Sequence, residues 1–291
     1  MPNTIELAKT YVPLLDEVYK NESLTAVLDG DNTLVRQGAN AGELIIPKMD
    51  MSGLGEYSRS SGYVDGDVSL TNETVQCNFD RGRRFTVDSM DDMETAGIAF
   101  GRLSGEFIRT KVVPELDAFR FAAYCKAVGS SGCTAETLTT GPEVIAAIRR
   151  LTTKMDEAEV PANDRYLFIT PTLLGLVQDM ETNKSREVLD NFAAVIKVPQ
   201  GRFYTAIKQL TGKDGESKGG YAKAEGAADI NLMAVHKGAL IQFEKHAAPK
   251  IITPDNNPNS DGYLFGYRLL TIAEVYENKL AGIEVSHKPA V

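Results

Sequence analysis

Three histidines, His236, His246 and His287, and three cysteines, Cys77, Cys125 and Cys133, are the side chains best suited to metal binding or nucleophilic work. The histidines are separated by strand-like and loop-like segments with no carboxylate at a ligand spacing, a chance distribution rather than a metal site. The cysteines are odd in number and make no C-x-x-C, so neither a disulfide framework nor a thiolate zinc site is expected, and we read them as reduced. Asp29-Gly-Asp-Asn-Thr33 has the acidic look of a calcium loop, but Thr33 stands at its fifth position and no Glu closes it, which leaves turn chemistry. Gly212-Lys213 and Lys218-Gly-Gly220 invite a phosphate-gripping reading, yet no G-x-x-x-x-G-K-[ST] stands there. G-x-G-x-x-G, G-x-S-x-G and H-E-x-x-H are also missing. No catalytic constellation, cofactor or metal is expected, and an α/β enzyme with a β-rich accessory domain remains only as a minor alternative.

Arg81, Arg83 and Arg84 differ in kind, because a guanidinium is a planar fork that pairs bidentately with a carboxylate. They read either as a solvated strand end or as a docking site for the carboxylates of a neighbouring chain. With 291 residues, 43% hydrophobic and 24% charged, the chain can bury a real core. Its formal charge of −9 argues against a protein that coats nucleic acid through a basic face. No apolar run approaches a membrane span, no signal peptide opens the sequence, and no membrane contact is expected.

The elements that must position these arginines begin with a basic strand, Phe79 to Asp88, feeding a long helical stretch from Asp91 to Val128. Met93, Ala96, Phe100, Leu103 and Phe107 recur every three or four residues and form one apolar stripe, with Asp92, Glu94, Arg102 and Arg109 off it. Pro114 interrupts the pattern, which resumes at Leu116, Phe119, Ala122 and Ala123, so a kink or short break is expected at the freed carbonyl of Thr110. Upstream, residues 1–36 read as an arm with a short helix. Residues 43–80 read as a long two-stranded ribbon in which Val75, Cys77 and Phe79 share one face and Gln76, Asn78 and Asp80 the other. Its tip is polar and rich in Gly and Ser, far longer than a hairpin loop needs. A lone ribbon is marginal in water, so it must lie against something else, and a neighbouring subunit is the natural partner.

After the long helix, Gly129-Ser-Ser-Gly132 and Gly141-Pro142 bracket a connector that we take as a domain boundary. A helix from Pro142 with Val144, Ile145, Ile148 and Leu151 on its buried stripe, a buried strand at Arg165–Thr170, a helix at Pro171–Met180 and a strand at Phe192–Val198 follow in α/β alternation. Residues 211–229 lack periodicity and are expected to be an exposed mobile loop. From Ile230 the chain is β-rich, with strands at Leu232–Val235, Leu240–Phe243, Tyr263–Glu277 and Gly282–Ser286 that return beside the long helix.

This order of elements resembles the major capsid proteins of tailed bacteriophages, with their N-arm, extended loop, spine helix, peripheral domain and axial domain. Arg84-Phe-Thr-Val-Asp88 leading to Met93-Glu94-Thr95, Val113-Pro-Glu-Leu-Asp-Ala118, Val198-Pro199 and Asp261-Gly-Tyr-Leu-Phe265 are the phrases that carry it. The resemblance implies an α+β fold with an N-terminal arm at 1–39, an extended β-hairpin loop at 40–82, a peripheral domain at 83–129 and 236–291 that includes the spine helix, and an axial domain at 130–235. It implies self-assembly through hexamers and pentamers into an icosahedral shell that encloses packaged double-stranded DNA, touches that DNA weakly, and joins a portal protein. Arg59, Tyr63, Asp65, Arg81, Arg83 and Arg84 become the candidate inter-subunit contacts. The ribbon starts only about 40 residues from Met1, so a separate scaffolding protein is expected. The tip, Met51 to Asp67, has no Lys, and Lys48 lies at its base, so no covalent crosslink between subunits is expected. An encapsulin-type nanocompartment, which resembles the same fold and encloses protein cargo, is the nearest alternative.

Overall fold

A computed structural model describes residues 23–30, 36–37, 43–89, 98–180, 187–213, 215–258 and 260–290. The arm helix within 1–22, most of the Asp29–Thr33 turn, and the placements expected of Asp91, Asp92, Met93, Glu94 and Ala96 lie outside the described residues, as do the side chains of Phe100 and Arg102. The elements in order are β1 (Arg36–Gln37), β2 (Glu43–Met51), β3 (Val68–Gln76), β4 (Phe79–Asp88), α1 (Ile98–Phe107), a π turn (Ile108–Val112), α2 (Val113–Gly132) and β5 (Cys133–Ala135). They continue with α3 (Gly141–Glu157), β6 (Arg165–Ile169), α4 (Pro171–Gln178), β7 (Ala194–Lys197), β8 (Ile207–Gln209), β9 (Tyr221–Lys223) and β10 (Ile230–His236). The chain ends in β11 (Leu240–Ile252), β12 (Gly262–Val275) and β13 (Ile283–His287).

The spine is α1, the π turn and α2 in succession. Pro114 has no N–H to give, and the wider π turn just before it takes up the mismatch at the residue where an interruption was expected, Thr110. The hydroxyl of Thr110 donates to the Glu106 carbonyl at 2.7 Å. The spine ends at Gly129, whose φ of 55° and ψ of −149° turn the chain out of the helix.

One face of α2 meets a five-stranded sheet of order β5-β13-β10-β6-β7, and α3 and α4 cover the opposite face. Alternation along the strands divides the two cores. Phe168, Met233, Val235, Ile283 and Val285 pack with Phe121, Tyr124 and Val128 of the spine. Leu167, Ile169, Leu232 and Ala234 pack with Val144, Ile148, Leu151 and Leu174. Burial on both faces is why these strands read as continuous apolar runs. Helix α3 starts on a capping box: Thr140 caps the N3 backbone while the Glu143 carboxylate accepts from the Thr140 N–H at 3.0 Å.

A second sheet, order β11-β12-β4, lies against the first part of the spine. Phe79, Phe265, Tyr267 and Leu269 pack on Ile108, Val113 and Leu116, and Phe85 and Phe107 meet edge to face with centroids 4.8 Å apart. Strand β11 is much longer than the Leu240–Phe243 expected, running through Pro249, which an edge strand tolerates. Pro47 is carried in β2 for a related reason, since β1 pairs that strand only at Leu44 and Ile45.

Three features depart from the sequence expectation. The Val75/Cys77/Phe79 alternation holds, with Val75 and Phe79 buried, but it spans two strands. At the junction the Asn78 side chain exchanges hydrogen bonds with the backbone of Ala273, 2.9 and 3.1 Å, swinging the chain from β3 into β4. The last strand, β13, enters the five-stranded sheet between β5 and β10 while also packing on α2, so the stretch from 236 onward contributes to both sheets. Residues 211–229 include a paired strand, because β8 and β9 form a small hairpin; three-residue strands leave no period to read.

Candidate assembly surfaces

The ribbon is β2 and β3, paired antiparallel from Glu43↔Gln76 to Met51↔Val68. Nine-residue strands at about 3.4 Å per residue carry its tip roughly 30 Å from its base. The tip is held by local bonds alone among those described: the Ser52 hydroxyl bridges the backbone of Asp67, and Ser58 and Gly62 form a two-way bridge around a turn. Its apolar side chains face outward, Leu54 at 107% and Tyr63 at 89% relative exposure, with Met51, Tyr57, Val64, Val68 and Leu70 also open. Tyr57 and Tyr63 touch edge to face at 5.0 Å. Of the residues singled out in the sequence, Arg59, Tyr63 and Asp65 are all exposed here.

Arg81, Arg83 and Arg84 lie on β4, well away from that tip. Arg81 donates its Nε to Glu115 at 2.8 Å and its Nη2 to the carbonyls of Leu210 and Gly220 at 2.8 and 3.2 Å. Arg83 reaches the carbonyls of Lys218 and Ser217 at 3.0 and 2.8 Å. The two guanidinium groups thus fasten the β8–β9 loop of their own chain across the spine, and Arg84 is exposed. Burial pushes the Glu115 carboxyl above its usual range, and the Arg81 charge opposes that shift. Tyr221, beneath the loop, is pushed up to about 12, first by burial, and its hydroxyl donates to the Gly201 carbonyl at 2.7 Å. Within the loop Glu216 accepts from Lys208 and from the Thr211 N–H, which together bring its carboxyl down to about 2. A cleft of about 1110 Å³ opens beside this clasp, floored by Phe79, Phe107, Tyr267 and Leu269.

A third cluster ties residues 23–30 to the spine. Asp117, fully buried, accepts from the Ser23 and Thr25 hydroxyls at 2.9 and 2.7 Å, from the Leu24 and Thr25 N–H groups, and from Arg202 at 3.2 Å. Arg120, equally buried, donates to Thr25 at 2.8 Å and to Asp29 at 3.2 Å. Gln242 on β11 donates to the Thr25 carbonyl and to Asp29, and receives the Tyr124 hydroxyl. Sequence reasoning missed Glu115, Asp117 and Arg120. Charges placed every two or three residues inside the apolar run Val113–Phe121 were the available signal, since ionic groups on a buried helix need partners.

No protein-family model matches the chain, and no curated protein matches it in sequence. Solved structures do. The mature capsid of bacteriophage PhiM1 superposes with a TM-score of 0.58 at 12% identity, over 85% of this chain and 82% of that one. The capsid of the cyanophage P-SCSP1u gives 0.57 at 12% identity, over 88% and 86%. The fold is that of phage capsid proteins. A virus-like particle from Pyrococcus furiosus shares it, with a TM-score of 0.52 at 13% identity over 94% of this chain and 95% of that one. Among the described residues no helix is long and apolar enough to cross a membrane.

Proposed function

We propose that this chain is the major subunit of a closed protein shell, assembling through hexamers and pentamers into an icosahedral capsid around packaged double-stranded DNA. The ribbon carries the reading: its base is anchored by Val75, but its tip stands roughly 30 Å away, by about 3.4 Å per residue, with Leu54, Tyr63 and Val64 open there, and needs a second copy to cover it. In this reading 1–39 is an arm, 40–82 the loop laid over the next subunit, and 130–235 the axial part. The peripheral part is 83–129 with 236–291, the latter lending β13 to the axial sheet. Arg59, Tyr63 and Asp65 meet the neighbour, joined from the basic strand by the exposed Arg83 and Arg84 and by half-buried Arg81. The net charge of −9 suits a wall that lets DNA move against it. Assembly then takes place in the host bacterial cytoplasm, with a separate scaffolding protein and a portal, and the product resides in the virion.

The likeness to the Pyrococcus particle favours a second reading, an encapsulin-type compartment with protein cargo. Electron microscopy of the expressed protein, with extraction of its contents, decides. Shells, tubes or rings of five and six support the proposal, and DNA against a single enzyme inside separates the two readings. A protein that stays monomeric at high concentration, alone and with its co-expressed scaffold, contradicts both.

A further inference from the structure

The spine ends and the five-stranded sheet begins within one turn of chain, and two thiols bracket that turn. Cys125 is buried near the end of α2 among Phe121, Val128 and the sheet residues Ile283 and Val285, and half-buried Cys133 opens β5 against the same cluster. Between them Gly129 has φ 55°, and Gly132 sits so close to Val128 and the Ile283 carbonyl that a Cβ would fall 2.8 and 3.0 Å from them. The chain therefore doubles back. Cys133 Sγ lies 3.9 Å from the Cys125 carbonyl oxygen, to which its thiol donates, and each thiol shifts the titration of the other.

We propose that Cys125 and Cys133 are an oxidisable pair that closes an intrachain disulfide, stapling the end of the spine helix to the edge strand β5. The chemistry runs by thiol–disulfide exchange with a small disulfide such as glutathione disulfide as oxidant. Cys133 gives up its proton, its thiolate attacks one glutathione sulfur, and a glutathione thiolate leaves. Cys125 then loses its proton and attacks Cys133 Sγ, expelling the second glutathione; two protein thiols are oxidised and one disulfide is reduced to two glutathione molecules. The division of labour follows from the site. Cys133 is the more exposed, and the hydrogen bond it accepts from Cys125 favours its thiolate, aided by Lys154 and opposed by burial and Glu284. Cys125 is held protonated by the same hydrogen bond and by burial, as suits the second, intramolecular step. Cys77 lies in a separate cluster with Val75, Ile241 and Ile272 and serves as an internal control.

The test treats the purified full-length protein with glutathione disulfide and counts thiols alkylated in denaturant. The count should fall from three to one, the remaining thiol being Cys77. The mass should drop by two hydrogens with no glutathione retained, and the unfolding midpoint should rise by about 2–5 °C, reversibly with dithiothreitol. Cys77→Ser should leave these results unchanged and Cys133→Ser should abolish them. A folded protein in which Cys125 and Cys133 both remain alkylatable, a stable glutathione adduct on Cys133, or linkage between chains would overturn the proposal.

Discussion

Two irregular, glycine-rich segments of this molecule meet opposite fates. The ribbon tip at 52–67 holds Gly53, Gly55, Gly62 and Gly66, and the β8–β9 loop at 210–220 holds Gly212, Gly215, Gly219 and Gly220. In the loop the carbonyls of Leu210, Ser217, Lys218 and Gly220 are gathered by Arg81 and Arg83 from a strand more than 120 residues earlier. The tip presents its apolar side chains to solvent at the end of a long lever. Composition alone does not separate the two, because both lack a local period. What separates them is whether a long-range donor reaches the segment, and a segment that folding leaves open is the one available to a second chain.

The largest effect on the clasp should come from Arg81→Ala, which strands the mostly buried Glu115 carboxylate and frees two carbonyls. Denaturant unfolding should show a loss of about 2–3 kcal/mol. Gly219→Ala should cost about 1 kcal/mol or more, since its φ is +61° and a Cβ would lie 2.7 Å from Arg83 Nη1. At the other end of the scale, Leu54→Asp with Tyr63→Ser should leave monomer stability within about 0.5 kcal/mol while weakening association. A tip variant that unfolds the chain would erase the contrast between the two segments.

Acid should act on the clasp through two carboxylates of opposite sign. The folded-state pKa of Glu115 is raised above 4.5, so its contribution is fully present below 4.5 and is lost as pH rises through the raised value. Glu216 is lowered to about 2, so its contribution is present above 4.5 and is lost as pH falls toward 2. Amide exchange at Thr211 should therefore quicken, beyond the intrinsic effect of pH, between pH 4.5 and 2, and Glu216→Gln should remove that change. Exchange that does not respond to the substitution would place the fastening of the loop in Arg81 and Arg83 alone.

Much of the fold was legible because its elements bury whole faces. The period-two run at Val75, Cys77 and Phe79, the apolar strand Arg165–Ile169 and the proline-started helices α3 and α4 follow directly from residue order. The elements that escaped depend on distant partners. Asp117 and Arg120 sit inside an apolar helix because Ser23, Thr25, Asp29 and Arg202 meet them there, a pairing that no local window contains. The destination of β13 was set by the open edges of β5 and β10, which form only once the chain has folded. Of the candidate contact residues, Arg81 and Arg83 turned out to grip their own chain. Their arginine chemistry was readable, whereas the carbonyl groups they hold lie in a loop with no sequence signature.

The most direct test of the account is sedimentation velocity of the wild-type protein beside a variant lacking Ser52–Asp67, each checked by circular dichroism. The account predicts rings or shells from the wild type and a folded, non-assembling monomer from the deletion, because the tip is spent between chains and contributes little within one. A deletion variant that assembles as well as the wild type, or one that fails to fold, would contradict it.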